Sequence, residues 1–214
     1  MIHEFKLPKK EVYGLAKYIA PEDDIRYYLN GVLVEFDAEG IGYLVATNGH
    51  MLAVFRIEAG VENPPFPKSL SFIMPREMAL LFDASMFRAA DISYDDEAKT
   101  IRAKLLDYTI EFKAIEGKYP DWRKVISKVA SGVPAQYQPR YLNKFSKLSG
   151  LIGDPGIILI GYNGDKGGLI AFPDHPDFIG YIMPWAYPFV RVAPTWATLP
   201  DAPVATESVT EPAN

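Results

Sequence analysis

The chain has 214 residues, 49% of them hydrophobic and 23% charged, with a formal net charge of −5; this is the make-up of a folded protein with a real core and excludes a disordered or fibrous chain. It holds no cysteine, which rules out disulfides, cysteine nucleophiles and cysteine–zinc sites, while the negative charge rules out a surface coated with basic residues for tight nucleic-acid binding. The opening Met-Ile-His-Glu-Phe-Lys lacks the basic and apolar regions of a signal peptide, and no apolar run nears the roughly 20 residues of a membrane helix, so we expect a soluble, cytoplasmic protein.

In chain order, the pattern is a unit repeated about three times: a short strand, a proline-started helix, then several strands. In the first unit Glu4–Leu7 reads as a strand, and Pro8 opens a helix to about Ala20. Proline suits the first helical position because its missing N–H would be unpaired there. Val12, Leu15, Ala16 and Ile19 share one face at helical spacing. Strands are predicted at 27–36, 41–47 and 51–57. The second unit begins at Ser71–Met74, with Pro75 opening a helix whose Met78, Leu81 and Phe82 face inward, followed by strands at 90–95, 99–106 and 108–115. The third unit begins with a strand at Ala135–Gln138, then a helix from Pro139 to Leu151 and strands at 156–162, 167–172 and 178–183. Asn163-Gly164 marks a hairpin between two of these. Residues 193–214, rich in Pro, Ala, Thr and Glu, read as a disordered tail in which Trp196 and Leu199 stay undocked.

Enzymatic motifs are missing. There are three histidines, His3, His50 and His175, and no H-E-x-x-H, nucleophile elbow or phosphate-loop string. Gly161–Gly168 imitates a phosphate loop but is better read as a hairpin, and Asp174-His175-Pro176-Asp177 reads as a polar turn rather than a metal site. No cofactor or metal is expected.

Several strings do match one family. Ile25–Glu35 followed by Ala46-Thr-Asn-Gly-His-Met-Leu52 resembles the central domain of the bacterial sliding clamp, the DNA polymerase III beta subunit, whose turn reads A-T-D-G-H-R-L. Ile73-Met-Pro-Arg76 resembles the start of that domain's second half. Glu116–Ile126 resembles D-G-R-F-P-D-Y-R-R-V-L, and Gly180–Trp185 resembles the clamp's C-terminal V-V-M-P-M-R. The resemblance implies an α+β DNA-clamp fold of repeated strand–helix–strands units, with antiparallel sheets and helices on one face. It implies a complete clamp-like domain over 1–126, a linker at 127–134 and a half domain over 135–192. The family's first domain and the first half of its last have no counterpart.

The resemblance also implies a pocket for clamp-binding peptides of polymerases and other replication proteins. Carried over position by position, its residues are Leu29, Thr47, Gly49, His50, Met51, Leu52, Pro120, Trp122, Arg123, Val125, Ile182, Met183 and Pro184. Met51 stands where the family has arginine, Asn48 where it has aspartate, and Trp185 near the terminal M-R, so a less basic, bulkier rim is expected. Arg140, Lys144 and Lys147 share a helix face opposite Phe145, Leu148 and Ile152, and Lys10 and Lys17 are similarly related; in clamps such helices face double-stranded DNA, weakly and without sequence preference. The function implied is a non-catalytic replication accessory protein, with a homo-oligomer allowed. The alternative is a clamp-derived decoy that sequesters clamp partners without encircling DNA.

Overall fold

The computed structural model describes residues 1–60, 65–82, 89–105, 108–154 and 156–185. The tail over 193–214, with Trp196 and Leu199, lies outside the described residues. Among the described residues, eleven strands form two antiparallel sheets. The first unit holds β1 (Ile2–Pro8), α1 (Lys9–Gly14), β2 (Gly31–Phe36), β3 (Gly42–Thr47) and β4 (Met51–Ile57). The second holds β5 (Leu70–Pro75), α2 (Arg76–Leu80), β6 (Ala89–Asp95), β7 (Thr100–Leu105) and β8 (Tyr108–Lys113). The third holds α3 (Pro139–Ile152), β9 (Leu159–Gly161), β10 (Gly168–Phe172) and β11 (His175–Ile182).

The first two units exchange their leading strands. β1 joins the second unit's sheet in the order β1-β6-β7-β8, and β5 joins the first unit's sheet beside β2. That second sheet continues through β2-β3-β4 into the third unit, because β4 pairs antiparallel with β11, giving the order β5-β2-β3-β4-β11-β10-β9. The expected α+β architecture of repeated units with antiparallel sheets is therefore present.

The apolar helix face does the work expected of it. Val12, Leu15, Ala16 and Ile19 are fully buried, as are Met78, Phe82, Phe145 and Leu148, and all but a few of the strands' inward residues join them in one large core. A second apolar cluster lies on the sheet's other face: Leu33, Val45, Leu52, Val54 and Ile73 alternate with core residues along their strands, and Tyr119, Trp122 and Tyr181 cover them. Strands buried on both faces read as continuous apolar runs instead of alternating, which is why Val32-Leu33-Val34 does so.

Six expectations need correction. Tyr27–Leu29 is a turn of 3₁₀ helix, and the strand begins only at Gly31; Asp24 and Asn30 bond each other across this turn and hold it closed. The first helix changes to a π-helical turn over Leu15–Ile19 before stopping at Ala20. Leu81 is 47% exposed, because α2 ends at Leu80. Residues 135–138 form no strand; leading strands elsewhere pair with another unit's sheet, and the third unit has no such neighbour among the described residues. β9 is confined to Leu159–Gly161. Asp174 is the turn, whereas His175–Asp177 already belong to β11.

Candidate functional site

The turn between β3 and β4 is built by its own polar side chains. Asn48 Oδ1 accepts the backbone N–H of His50 and of Met51, both at 2.9 Å. Thr47 Oγ1 accepts from the Gly49 N–H at 3.1 Å and donates to the Met51 carbonyl at 2.7 Å. An asparagine carbonyl serves as well as an aspartate carboxylate here, since both N–H groups need only an acceptor. Gly49 sits at φ +85°, a left-handed conformation that favours glycine; the nearest atom to a Cβ there would be the tip of the flexible Arg26 side chain, at 3.0 Å.

Two other stretches meet this turn. Met183 donates its N–H to the His50 carbonyl at 2.9 Å, which fixes the end of β11 beside the turn. The Tyr119 hydroxyl oxygen accepts the Thr47 N–H at 3.1 Å, and burial pushes the phenol's pKa up. Trp122, in a short 3₁₀ turn over Trp122–Lys124, donates Nε1–H to Glu35 at 3.1 Å and lies 5.6 Å from the Tyr43 ring. The His50 ring stacks on Tyr141 of α3 at 5.7 Å.

Together these enclose a cavity of about 170 Å³ lined by Leu29, Thr47, Gly49, His50, Met51, Leu52, Pro120, Trp122, Val125 and Met183, with Arg26, Asp121 and Tyr181. Ten of the thirteen residues expected at the site thus come together. Ile182 does not: it is fully buried in the inner core. Arg123 does not line it either; its guanidinium lies over the Trp122 ring, 4.1 Å from the centroid, and pairs with Glu35 at 2.8 Å, facing a neighbouring cavity. Pro184 also lies off the lining.

The rim departs from the sequence expectation. Met51 is 1% exposed and so belongs to the wall's interior, not to the rim. A cation is supplied from elsewhere: Arg26 reaches the turn, donating from Nη2 to the Asn48 carbonyl at 3.3 Å, and it is held by Asp24 at 2.7 Å. Arg26 in turn lowers the Asp24 carboxyl to about 2, chiefly through that hydrogen bond. Trp185 does not line the cavity; its N–H bonds the Gln136 carbonyl at 2.7 Å. The rim thus carries one cation, Arg26, and Trp185 adds no bulk to the cavity lining.

The adjoining cavity is larger, about 690 Å³, and shares Pro120, Asp121 and Trp122 with the first. Its walls include Glu35, Ser69, Ser71, Lys99, Glu116 and Lys118, so it offers polar groups where the smaller one offers Leu29, Leu52, Val125 and Met183. The smaller is the better candidate for capturing apolar side chains. A cavity of roughly 150 Å³ accepts benzene, so this one has room for an aromatic side chain.

Away from the pocket, the helices carry the expected cations. Lys10, Arg140 and Lys147 are exposed, Lys144 is partly buried, and Lys17 bonds the Tyr13 hydroxyl at 2.6 Å. Arg76 of α2 joins them: burial first, then Arg140 and Arg76, lower the Lys144 pKa. Among the described residues no group of side chains could hold a metal ion, and no helix is long and apolar enough to cross a membrane.

Comparison with known proteins agrees with this architecture. The beta sliding clamp of Escherichia coli K12 is 32% identical over 133 residues, 58% of this chain and 34% of that protein. The beta sliding clamp of Pseudomonas aeruginosa is 32% identical over 109 residues, half of this chain and 28% of that protein. The chain thus spans about a third of the length of these relatives. Among solved structures, the DNA polymerase III subunit beta of Pseudomonas aeruginosa superposes with a TM-score of 0.64 at 19% identity, covering 86% of this chain and 66% of that one. That of Borrelia burgdorferi, in complex with a natural product, gives 0.63 at 20% identity, covering 86% and 64%. Residues 7–121 match the family described as the DNA polymerase III beta subunit, central domain. With more than half its length in that match, and with exchanged leading strands and a shared antiparallel sheet, the chain belongs to the DNA polymerase III beta subunit family.

Proposed function

We propose that this protein is a non-catalytic, sliding-clamp-like replication accessory that docks short peptides of polymerases and other replication proteins. In this reading residues 1–126 form a complete clamp-like domain and 135–192 a half domain, joined at 127–134. The convergence of Thr47–Leu52, Pro120–Val125 and Met183 on one apolar cavity carries the reading. Leu29, Leu52 and Val125 supply apolar depth, and Met183, 43% exposed, supplies a polarizable wall that can adapt to its guest. Arg26 at the rim suits an acidic residue or a terminal carboxylate on the peptide. A cavity this size anchors one or two side chains, so affinity on the order of micromolar, about −8 kcal/mol, is expected.

Titration of a fluorescent clamp-binding peptide tests the proposal. The wild-type chain should saturate in the micromolar range, and a His50→Ala/Met183→Ala variant should bind at least tenfold more weakly. Equal weak binding by both would dismiss the pocket. Binding without any DNA association would favour the decoy reading.

The second part of the proposal is loose contact with double-stranded DNA through Lys10, Lys17, Arg140, Lys144 and Lys147. Support comes from the grouping of Arg76, Arg140 and Lys144: burial is the main cause of the lowered Lys144 pKa, and the two guanidinium charges add to it. The sign of that shift makes a prediction. A lysine whose folded pKa is lowered opposes folding while it is protonated, and that opposition fades as pH rises through the folded pKa. Lys144→Gln should therefore leave the melting temperature unchanged or raised at neutral pH. The same variant should weaken DNA binding and flatten the slope of log K against log salt by up to about 0.9, one phosphate contact. Thermal melts and a salt series check both; a destabilised variant with an unchanged salt slope would contradict the assignment.

A further inference from the structure

The chain leaves the pocket wall at Val125 and next enters regular structure at Pro139, where α3 begins. Val125 is 49% exposed, so its own packing fixes it only in part, and residues 126–138 form no helix or strand. Backbone outside helices and sheets must find its hydrogen bonds elsewhere. Here they come from the connection between β9 and β10. Gly132 donates its N–H to the Tyr162 carbonyl at 2.9 Å, and the Val133 carbonyl accepts the Gly164 N–H at 2.8 Å. The stretch 127–133 is therefore a strap laid along the third unit.

One side chain ties the strap down. Asn163 is 6% exposed, and its whole carboxamide is engaged. Oδ1 accepts the Ser131 N–H at 3.2 Å, while Nδ2 donates to Ser127 Oγ at 3.2 Å and to the Gly167 carbonyl at 3.4 Å. These partners ask for an acceptor and two donors on one short side chain, which is what asparagine carries. A buried amide bonded on both sides holds its neighbours at a set separation, because releasing either side leaves a polar group without a partner.

The two sides lead to opposite walls of the peptide cavity. Ser127 stands two residues after Val125. Gly167 lies against the ring of Tyr181, into which a Cβ at that glycine would run, and Tyr181 lines the cavity with Val125. Asn163 itself does not line it, so it can act on a guest only through the walls it holds.

We propose that Asn163 is a positioning residue for the peptide pocket, bonding Ser127 and Ser131 on one side and Gly167 on the other so that Val125 and Tyr181 stand at a fixed spacing. A guest then meets a cavity already shaped, and little of the binding free energy goes into ordering its walls. This assignment rests on the docking function proposed above.

Peptide titration well below the melting temperature, combined with amide hydrogen exchange, is the test. Asn163→Ala should weaken peptide binding about fivefold, a part of what two lost hydrogen bonds contribute. It should also speed exchange at Gly132, whose N–H bonds Tyr162 and not the substituted side chain. Ser127→Ala removes a single strap bond, leaves the buried hairpin intact and should weaken binding about twofold; it decides the matter if Asn163→Ala does not fold. Ser149→Ala is the comparison for a purely structural loss, since Ser149 Oγ donates to Asp154 at 2.8 Å in the buried interior away from the cavity. That variant should melt lower yet bind peptide as the wild type does. Wild-type affinity in folded Asn163→Ala or Ser127→Ala overturns the positioning role alone, as does an equal loss of affinity in Ser149→Ala. A wild-type chain that binds no peptide overturns the docking function, and the positioning role with it.

Discussion

Trp122→Ala is expected to lower folding stability by about 3 kcal/mol and to abolish peptide docking, the largest combined effect at this site. The ring is 9% exposed and holds the outer apolar cluster together with Leu33, Val45, Leu52 and Tyr119. It also walls the candidate pocket, and its N–H is bonded to Glu35. Truncation removes the ring's buried area, leaves a cavity beneath Pro120 and frees Arg123 from the surface on which it lies. The Glu35–Arg123 pair adds little of its own, since the carboxylate is 25% and the guanidinium 45% exposed. The packing loss is therefore the term that decides the outcome, at the lower end of the range for buried aromatics.

Trp122→Phe separates wall from anchor. It keeps most of the apolar surface but leaves Glu35 without its indole donor, a change of about 1 kcal/mol. Peptide affinity should then fall only a few-fold. Urea denaturation and peptide titration on both variants measure the two effects separately. Should the alanine variant bind peptide as tightly as the wild type while being less stable, Trp122 is a packing residue and no wall of a functional pocket.

Much of this arrangement could be read from residues, and the misses have physical reasons. Proline before an amphipathic stretch located all three helices, because helix starts depend on local chemistry. The Thr47–Met51 turn was equally legible, since its hydrogen bonds come from side chains within the turn. Tyr27–Leu29 was not: aromatic and aliphatic residues suit a strand, but Asp24 and Asn30 on either side close the backbone into a turn. The strand expected at 135–138 could not be judged from its own residues, because a strand exists only when another edge accepts it. Arg26 was invisible as a rim residue, lying 22 residues before the carbonyl it reaches. Tyr181 could have been found. With Ile182 facing the core, period two along β11 turns Tyr181 and Met183 to the opposite face, where the pocket lies.

Gly180→Val is expected to cost about 3 kcal/mol, and it tests how the third unit is fixed to the rest. Gly180 stands in β11 opposite Ala53 of β4 and Ile170 of β10, at the seam through which the long sheet passes. A Cβ there would lie 2.8 Å from Phe145 Cε1 and 2.9 Å from Ile170 Cβ. Neither neighbour can yield cheaply: the Phe145 ring is fully buried, and the Ile170 Cβ is fixed to its strand. Overpacking of this kind costs about 1–3 kcal/mol, and valine, with two methyl groups beyond the Cβ, belongs at the top of that range. The strain has two outlets, lifting α3 from the sheet or sliding β11 along β4. The second would carry Tyr181 and Met183 away from the Thr47–Leu52 turn, so peptide affinity should fall with stability although residue 180 does not line the cavity. A Phe145→Leu change in the same chain makes room for the valine, and the double variant should be more stable than the sum of the single losses predicts, by at least about 1 kcal/mol of coupling. Strict additivity of the two substitutions would mean that the helix and the strand do not meet at Gly180 as described, and the seam would have to be held by something else.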